Sequence, residues 1–77
     1  MTLFFENSYG EWRPIAECAE KIDAAIAIKQ FLDSHNYKSY YTRMWESDGW
    51  LNYDVGSWSE FFHLQIDSNA RIPVHDN

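Results

Sequence analysis

Cysteine, proline, glycine and basic side chains are all scarce in this 77-residue chain, and each shortage excludes something. The lone Cys18 has no partner for an internal disulfide, whereas secreted domains of this size usually depend on several. A cytoplasmic protein is therefore expected. The three glycines, at 10, 49 and 56, stand too far apart to build a phosphate-cradling loop. No apolar run approaches the roughly 18 residues that a membrane-spanning helix needs. The opening residues Met1-Thr2-Leu3-Phe4-Phe5-Glu6 have neither the basic region nor the long apolar stretch of a signal peptide. No membrane partner is expected. Six Lys plus Arg stand against twelve Asp plus Glu, a formal charge of −6. Nucleic-acid binders gain most of their affinity by neutralising phosphates, so this balance argues against direct nucleic-acid binding. It favours a basic partner instead.

Catalytic and metal-binding patterns are missing too. His35, His63 and His75 are widely spaced and fall in different elements, without the close ligand pairs of zinc sites. No metal and no cofactor are expected. His35 reads as a helix-end residue, and His63, beside Phe62, as a residue on the outer face of a strand. Cys18 matches no thiol-enzyme motif and reads as a small buried hydrophobe. With twelve acids, no carboxylate pair is singled out for hydrolytic chemistry. A chain this short buries only ~60% of its unfolded surface, and a pocket of ~300–1,000 Å³ would be a large share of the body. The expectation is a single, non-enzymatic domain over residues 1–77, with 67–77 a polar tail that either frays or adds a brief edge strand.

What the chain does have is apolar and aromatic content, 45% and 18% of its residues, enough to fold. Leu3-Phe4-Phe5 reads as a short buried strand, and Asn7-Ser8-Tyr9-Gly10 as a turn. Trp12 to Cys18 reads as a second strand, which Pro14 restricts to an edge or an irregular segment. From Glu20 to His35 the period becomes helical, with Ile22, Ala25, Ile26, Ile28 and Leu32 on one broad face and Phe31 away from it. Lys29 sits within that arc and must snorkel outward. No good N-cap precedes Glu20, while Ser34-His35-Asn36 supplies a stop, because Asn tolerates the left-handed conformation. Tyr37–Trp45, Trp50–Val55 and Trp58–Ile66 then read as three strands joined by turns at Glu46-Ser47-Asp48-Gly49 and Gly56-Ser57. The fold class is α+β: one helix packed on an antiparallel sheet, in the order β(β)-α-β-β-β.

Nine aromatics lie between Tyr37 and Phe62. Strand alternation forbids Tyr40 and Tyr41, or Phe61 and Phe62, from sharing a face. One helix covers one face, so aromatic rings must also line the other. Such rings are either sheet formers stacked in cross-strand pairs or a binding surface, since Trp and Tyr dominate interface hot spots. A base-stacking face of the RNA-recognition kind would need basic residues along it, and only Lys38 and Arg43 are present in this region. The partner-binding candidates are Trp45, Trp50, Tyr53, Asp54, Trp58 and Glu60. Acidic residues gather in residues 1–20 and 51–77, and these sets would merge if the first strand paired beside the last.

The segments His35-Asn36-Tyr37-Lys38-Ser39-Tyr40-Tyr41-Thr42-Arg43-Met44-Trp45 and Tyr53-Asp54-Val55-Gly56-Ser57-Trp58-Ser59-Glu60-Phe61-Phe62 resemble small, acidic, aromatic-rich phage and prophage proteins. Anti-CRISPR inhibitors and other counter-defence factors are of this style. The resemblance implies an inhibitor that presents acidic groups to a basic nucleic-acid-binding protein, and it carries over no individual functional residue. Self-association as a homodimer through the aromatic sheet face is the second reading.

Overall fold

The computed structural model describes residues 1–36, 42–56 and 60–73. Among these residues five strands and one helix follow each other as β1 (Thr2–Glu6), β2 (Trp12–Glu17), α1 (Lys21–Ser34), β3 (Arg43–Ser47), β4 (Trp50–Asp54) and β5 (Phe61–Gln65). The fold is α+β, with a single antiparallel sheet in the order β2-β1-β5-β4-β3. Strands β3, β4 and β5 form the expected meander, and β1 closes against β5.

Local chemistry explains the connections. Asn7 Oδ1 accepts hydrogen bonds from the backbone N–H groups of Tyr9 (2.9 Å) and Glu11 (3.0 Å), which folds the β1–β2 turn. Pro14 does lie on an edge strand. The β1–β2 register steps from Leu3↔Ala16 to Phe4↔Pro14, so Ile15 is bulged out beside the residue that cannot donate. The β3–β4 turn is tighter than expected. Glu46 and Ser47 belong to the strand, and Asp48 (φ 53°) and Gly49 (φ 84°) alone turn the chain. Two consecutive positive φ values are the type I′ geometry that matches strand twist. The first five residues of the expected strand 37–45, and Ser57 and Trp58 at the next turn, lie outside the described residues.

The helix begins at Lys21, and its start is better built than the sequence suggests. Asp23 accepts from the Glu20 N–H at 2.9 Å, the backward half of a capping box. Asn36, at φ 57°, ends it as expected. The buried face is rotated from the expected one: Ile28 and Leu32 lie on it, but Ile22, Ala25 and Ile26 do not. Ala24, Ile28 and Leu32 are buried and Phe31 packs beside them, while Ile22 and Ile26 are 61% and 52% exposed. Phe31 sits 4.7 Å from Phe5 and 5.5 Å from Phe62, ring centre to ring centre. The rotation of the helix has a steric cause. Ala24 and Ala27 let the helix approach the sheet closely, and Phe31 fills the space between two sheet phenylalanines. Lys29 lies outside this face and is exposed. Phe31 is half-buried, yet it fills space between two sheet rings, and truncating a large packed side chain costs up to ~3–5 kcal/mol. Phe31→Ala should therefore lower the melting temperature more than Ile26→Ala. A larger loss for Ile26→Ala in thermal unfolding would overturn this assignment.

The helix-side core comprises Leu3 and Phe5 of β1, Leu51 and Tyr53 of β4, Phe62 and Leu64 of β5, Val55, Cys18 and the helix residues. The helix lies over β5 and touches β3 through the Lys21–Glu46 ion pair at 3.1 Å, leaving the five β3 residues exposed. Among the described residues the segment after β5 forms no strand, and residues 74–77 of the expected tail lie outside them. Ala70 N–H donates to the Asp67 carbonyl (2.9 Å), and Gln65 Nε2 donates to the Ala70 carbonyl (2.9 Å), which pins a turn at residues 67–70.

Candidate functional site

Alternation along the strands sends Phe4, Glu6, Trp12, Trp50, Asn52, Asp54, Phe61 and His63 to the sheet face opposite the helix. That face has a small core of its own. Trp12 stacks flat on His63, with ring centroids 3.7 Å apart and planes within 4°. Trp50 meets Trp12 edge-on at 4.9 Å and Phe4 at 5.7 Å. Burial on both sides accounts for all five β4 residues being buried. His63 is thus on the outer face as expected, yet it is buried rather than surface-exposed.

At the centre of this face lies a polar chain drawn from three strands. His63 Nδ1 is 2.6 Å from Asn52 Oδ1, and His63 Nε2 is 2.7 Å from Glu6 Oε1. The Asn52 amide nitrogen donates to the Trp45 carbonyl at 3.3 Å, which turns its oxygen toward the ring. Burial pushes the His63 imidazole below its ordinary range, against the weaker upward pull of the Glu6 carboxylate. A group whose folded pKa lies below its unfolded value takes up protons more readily when unfolded. The stability tied to His63 is therefore fully present above about pH 6.5 and lost as pH falls below it. Melting curves from pH 7.5 to 5.5 should show the difference between the wild type and His63→Gln narrowing as the solution is acidified. A gap that widens on acidification would reverse the sign.

A cleft of about 560 Å³ opens over this network, lined by Trp12, Trp45, Trp50, Asn52 and His63, with Arg71 of the returning segment at its border. Ser47 and Asp48 border it and also line a shallower depression of about 640 Å³, where Glu46, Asp48 and Asp67 meet. The aromatic cleft and an acidic lip thus adjoin at the β3–β4 turn. Glu46 is held by Lys21 at 3.1 Å.

The sequence candidates divide across this geometry. Trp45 is 41% exposed at the mouth of the cleft, and Trp50 forms its buried wall. Tyr53 points to the opposite face and is in the helix-side core. Asp54 is buried and ion-paired to Arg43 at 3.1 Å, so it presents no free carboxylate. Glu60 is half-buried just before β5, and Trp58 lies outside the described residues. Pairing of β1 with β5 does bring Glu6 and Glu60 to one end of the sheet, but Glu6 is engaged with His63. The exposed acids that converge are instead Asp48 and Asp67, at the other end. Reading the 50–54 and 61–65 alternations as one hairpin register would have found the Asn52–His63 pair. No local signal marks Glu6, Trp12 or Arg71, which arrive through long-range packing.

Cys18 is buried in the helix-side core, as its reading as a hydrophobe requires. Burial raises both its thiol and the Tyr53 phenol above their ordinary ranges, so neither is an ionised nucleophile at neutral pH. Among the described residues no three His, Cys, Asp or Glu side chains converge to hold a metal ion. No described helix is long and apolar enough to cross a membrane. Fold and site together define an α+β domain of one helix on five antiparallel strands, with an aromatic cleft on the helix-free face. Against known protein families, curated proteins and solved structures, the chain has no match.

Proposed function

We propose that this protein is a non-enzymatic binding module that inhibits or sequesters a basic, nucleic-acid-handling protein. The observation that carries the reading is the junction of the aromatic cleft with the carboxylates of Asp48 and Asp67. Exposed carboxylates on a chain of charge −6 draw in a cationic surface and occupy positions meant for phosphates. Trp45 at the cleft mouth supplies an amphipathic anchor of the kind that dominates interface energies. The resemblance to phage counter-defence proteins points to the same class of action.

The test is affinity capture from host lysate, then surface plasmon resonance with the purified captured protein at low and high salt. Exposed charges act over ~8 Å at physiological ionic strength, so added salt should slow association. Asp48→Asn and Asp67→Asn keep a turn-competent side chain and remove the charge. Together they should slow association several-fold with little change in dissociation. Trp45→Ala should raise the off-rate by an amount equivalent to ~2 kcal/mol. Binding that ignores both salt and the Asp→Asn pair would sink the phosphate-mimic reading.

A further inference from the structure

The two edges of the sheet are built differently. β2 carries Pro14 and a bulge at Ile15, devices that blunt an edge against further pairing. β3, Arg43-Met44-Trp45-Glu46-Ser47, has neither proline nor glycine, pairs with β4 without a bulge, and is exposed along its whole length. Among the described residues no strand lies against its outer side. Met44 is 62% exposed on the helix side of the sheet, and Trp45 is exposed on the cleft side.

The turn decides which backbone groups are free. A type I′ turn at Asp48-Gly49 is closed by the Trp50 N–H donating to the Ser47 carbonyl, so Ser47 and Trp50 are a hydrogen-bonded pair. Alternation then directs the backbone groups of Arg43, Trp45 and Ser47 toward β4. The Trp45 carbonyl does face β4, where it accepts from Asn52. The N–H and C=O groups of Met44 and Glu46 are left pointing outward. The charges on this edge are already matched. Arg43 is bound to Asp54 and Glu46 to Lys21, each at 3.1 Å. On a molecule of charge −6, β3 is thus a neutral strip along which a second copy is not repelled.

We propose that β3 pairs antiparallel with β3 of a second copy, about a two-fold axis through Trp45. An axis perpendicular to the sheet keeps each face on its own side, so directly opposed residues must share parity. With Met44 opposite Glu46 of the other copy, the outward backbone groups exchange bonds in two hydrogen-bonded pairs. The two Trp45 side chains then face each other at the intervening non-hydrogen-bonded position, where cross-strand neighbours come closest. Both rings lie on the cleft side, and the two aromatic clefts meet across the axis. A pairing of five-residue strands is small for a stable interface, so the dimer is weak and concentration-dependent. The proposal is independent of any basic partner, and its test uses none.

Sedimentation velocity over a concentration series should show wild-type protein passing from monomer to dimer. Trp45→Lys and Trp45→Glu each place like charges at the axis and should be monomeric throughout. Far-UV circular dichroism should report an intact fold for both, since Trp45 is a partly exposed edge residue. Mixing the two variants should restore the dimer, because Lys then faces Glu. Wild-type protein that stays monomeric up to ~1 mM, beyond the range of weak biological interfaces, would overturn the proposal. So would a Trp45→Lys variant that dimerises as readily as the wild type, or a mixture that fails to associate.

Discussion

Phe62→Ala should remove most of this protein's stability. Phe62 is one of the three largest fully buried side chains, with Phe5 at 5.3 Å and Phe31 at 5.5 Å between ring centroids. It sits in β5, between β1 and β4 and beneath the helix, so all three neighbours lose contacts when the ring goes. Phe→Ala in a core typically costs ~3–5 kcal/mol, because packing is lost and the cavity does not fully close. A domain of this length has roughly 4–12 kcal/mol in total at ~0.05–0.15 kcal/mol per residue. Urea denaturation should therefore show a midpoint shifted by a large fraction of the wild-type value. Phe61→Ala, on the opposite face and only half-buried, should shift it much less. Equal shifts would mean that the helix-side core is not the dominant one.

Gly49→Ala should be the most damaging change outside the core. Its φ of +84° is unfavourable for any L-residue, and an alanine Cβ there would lie 2.8 Å from Asp67 Cβ and 3.1 Å from Ala70 Cβ. Strain in the left-handed region and displacement of the 67–70 turn add to roughly 2–4 kcal/mol. The consequence reaches beyond stability. The same turn carries Asp67 of the acidic lip and leads to Arg71 at the cleft border, so the aromatic face loosens with it. Tryptophan fluorescence should shift to the red as the cleft opens. Adding Asp67→Gly to Gly49→Ala removes the closest clash and leaves the φ strain, so it should recover part of the lost stability. Full recovery would show that the clash alone matters; none would show that φ alone does.

The candidate site was legible only in part. That aromatics occupy both sheet faces follows from strand alternation, and Trp45 and Trp50 do reach the cleft. Tyr53 and Asp54, in the same strand as Trp50, alternate to opposite faces and are both buried, one under the helix and one against Arg43. The polar chain beneath Trp12 joins residues 57 positions apart in the case of His63 and Glu6. Nothing within a few residues of either announces the other.

The sequence by itself determined the local devices. These are the helix and its end at Asn36, a chain reversal at Gly49, the exclusion of Pro14 from the sheet centre, the three-strand meander and hence the α+β class. Each depends on φ preferences, a missing donor or a period of side chains within a few positions, which neighbours in the chain settle among themselves. Only the tertiary structure decided which face of the helix goes in. Ile22 and Ile26 carry the stronger apolar signal, but Ala24, Ala27 and Phe31 join Ile28 and Leu32 against the sheet, and close packing outweighs side-chain hydrophobicity alone. It also decided that β1 joins β5, that residues 67–70 turn back toward the cleft, and that Asp48 and Asp67 converge. Those contacts are chosen by burying a whole sheet on two sides at once, a condition that no short stretch of this chain contains.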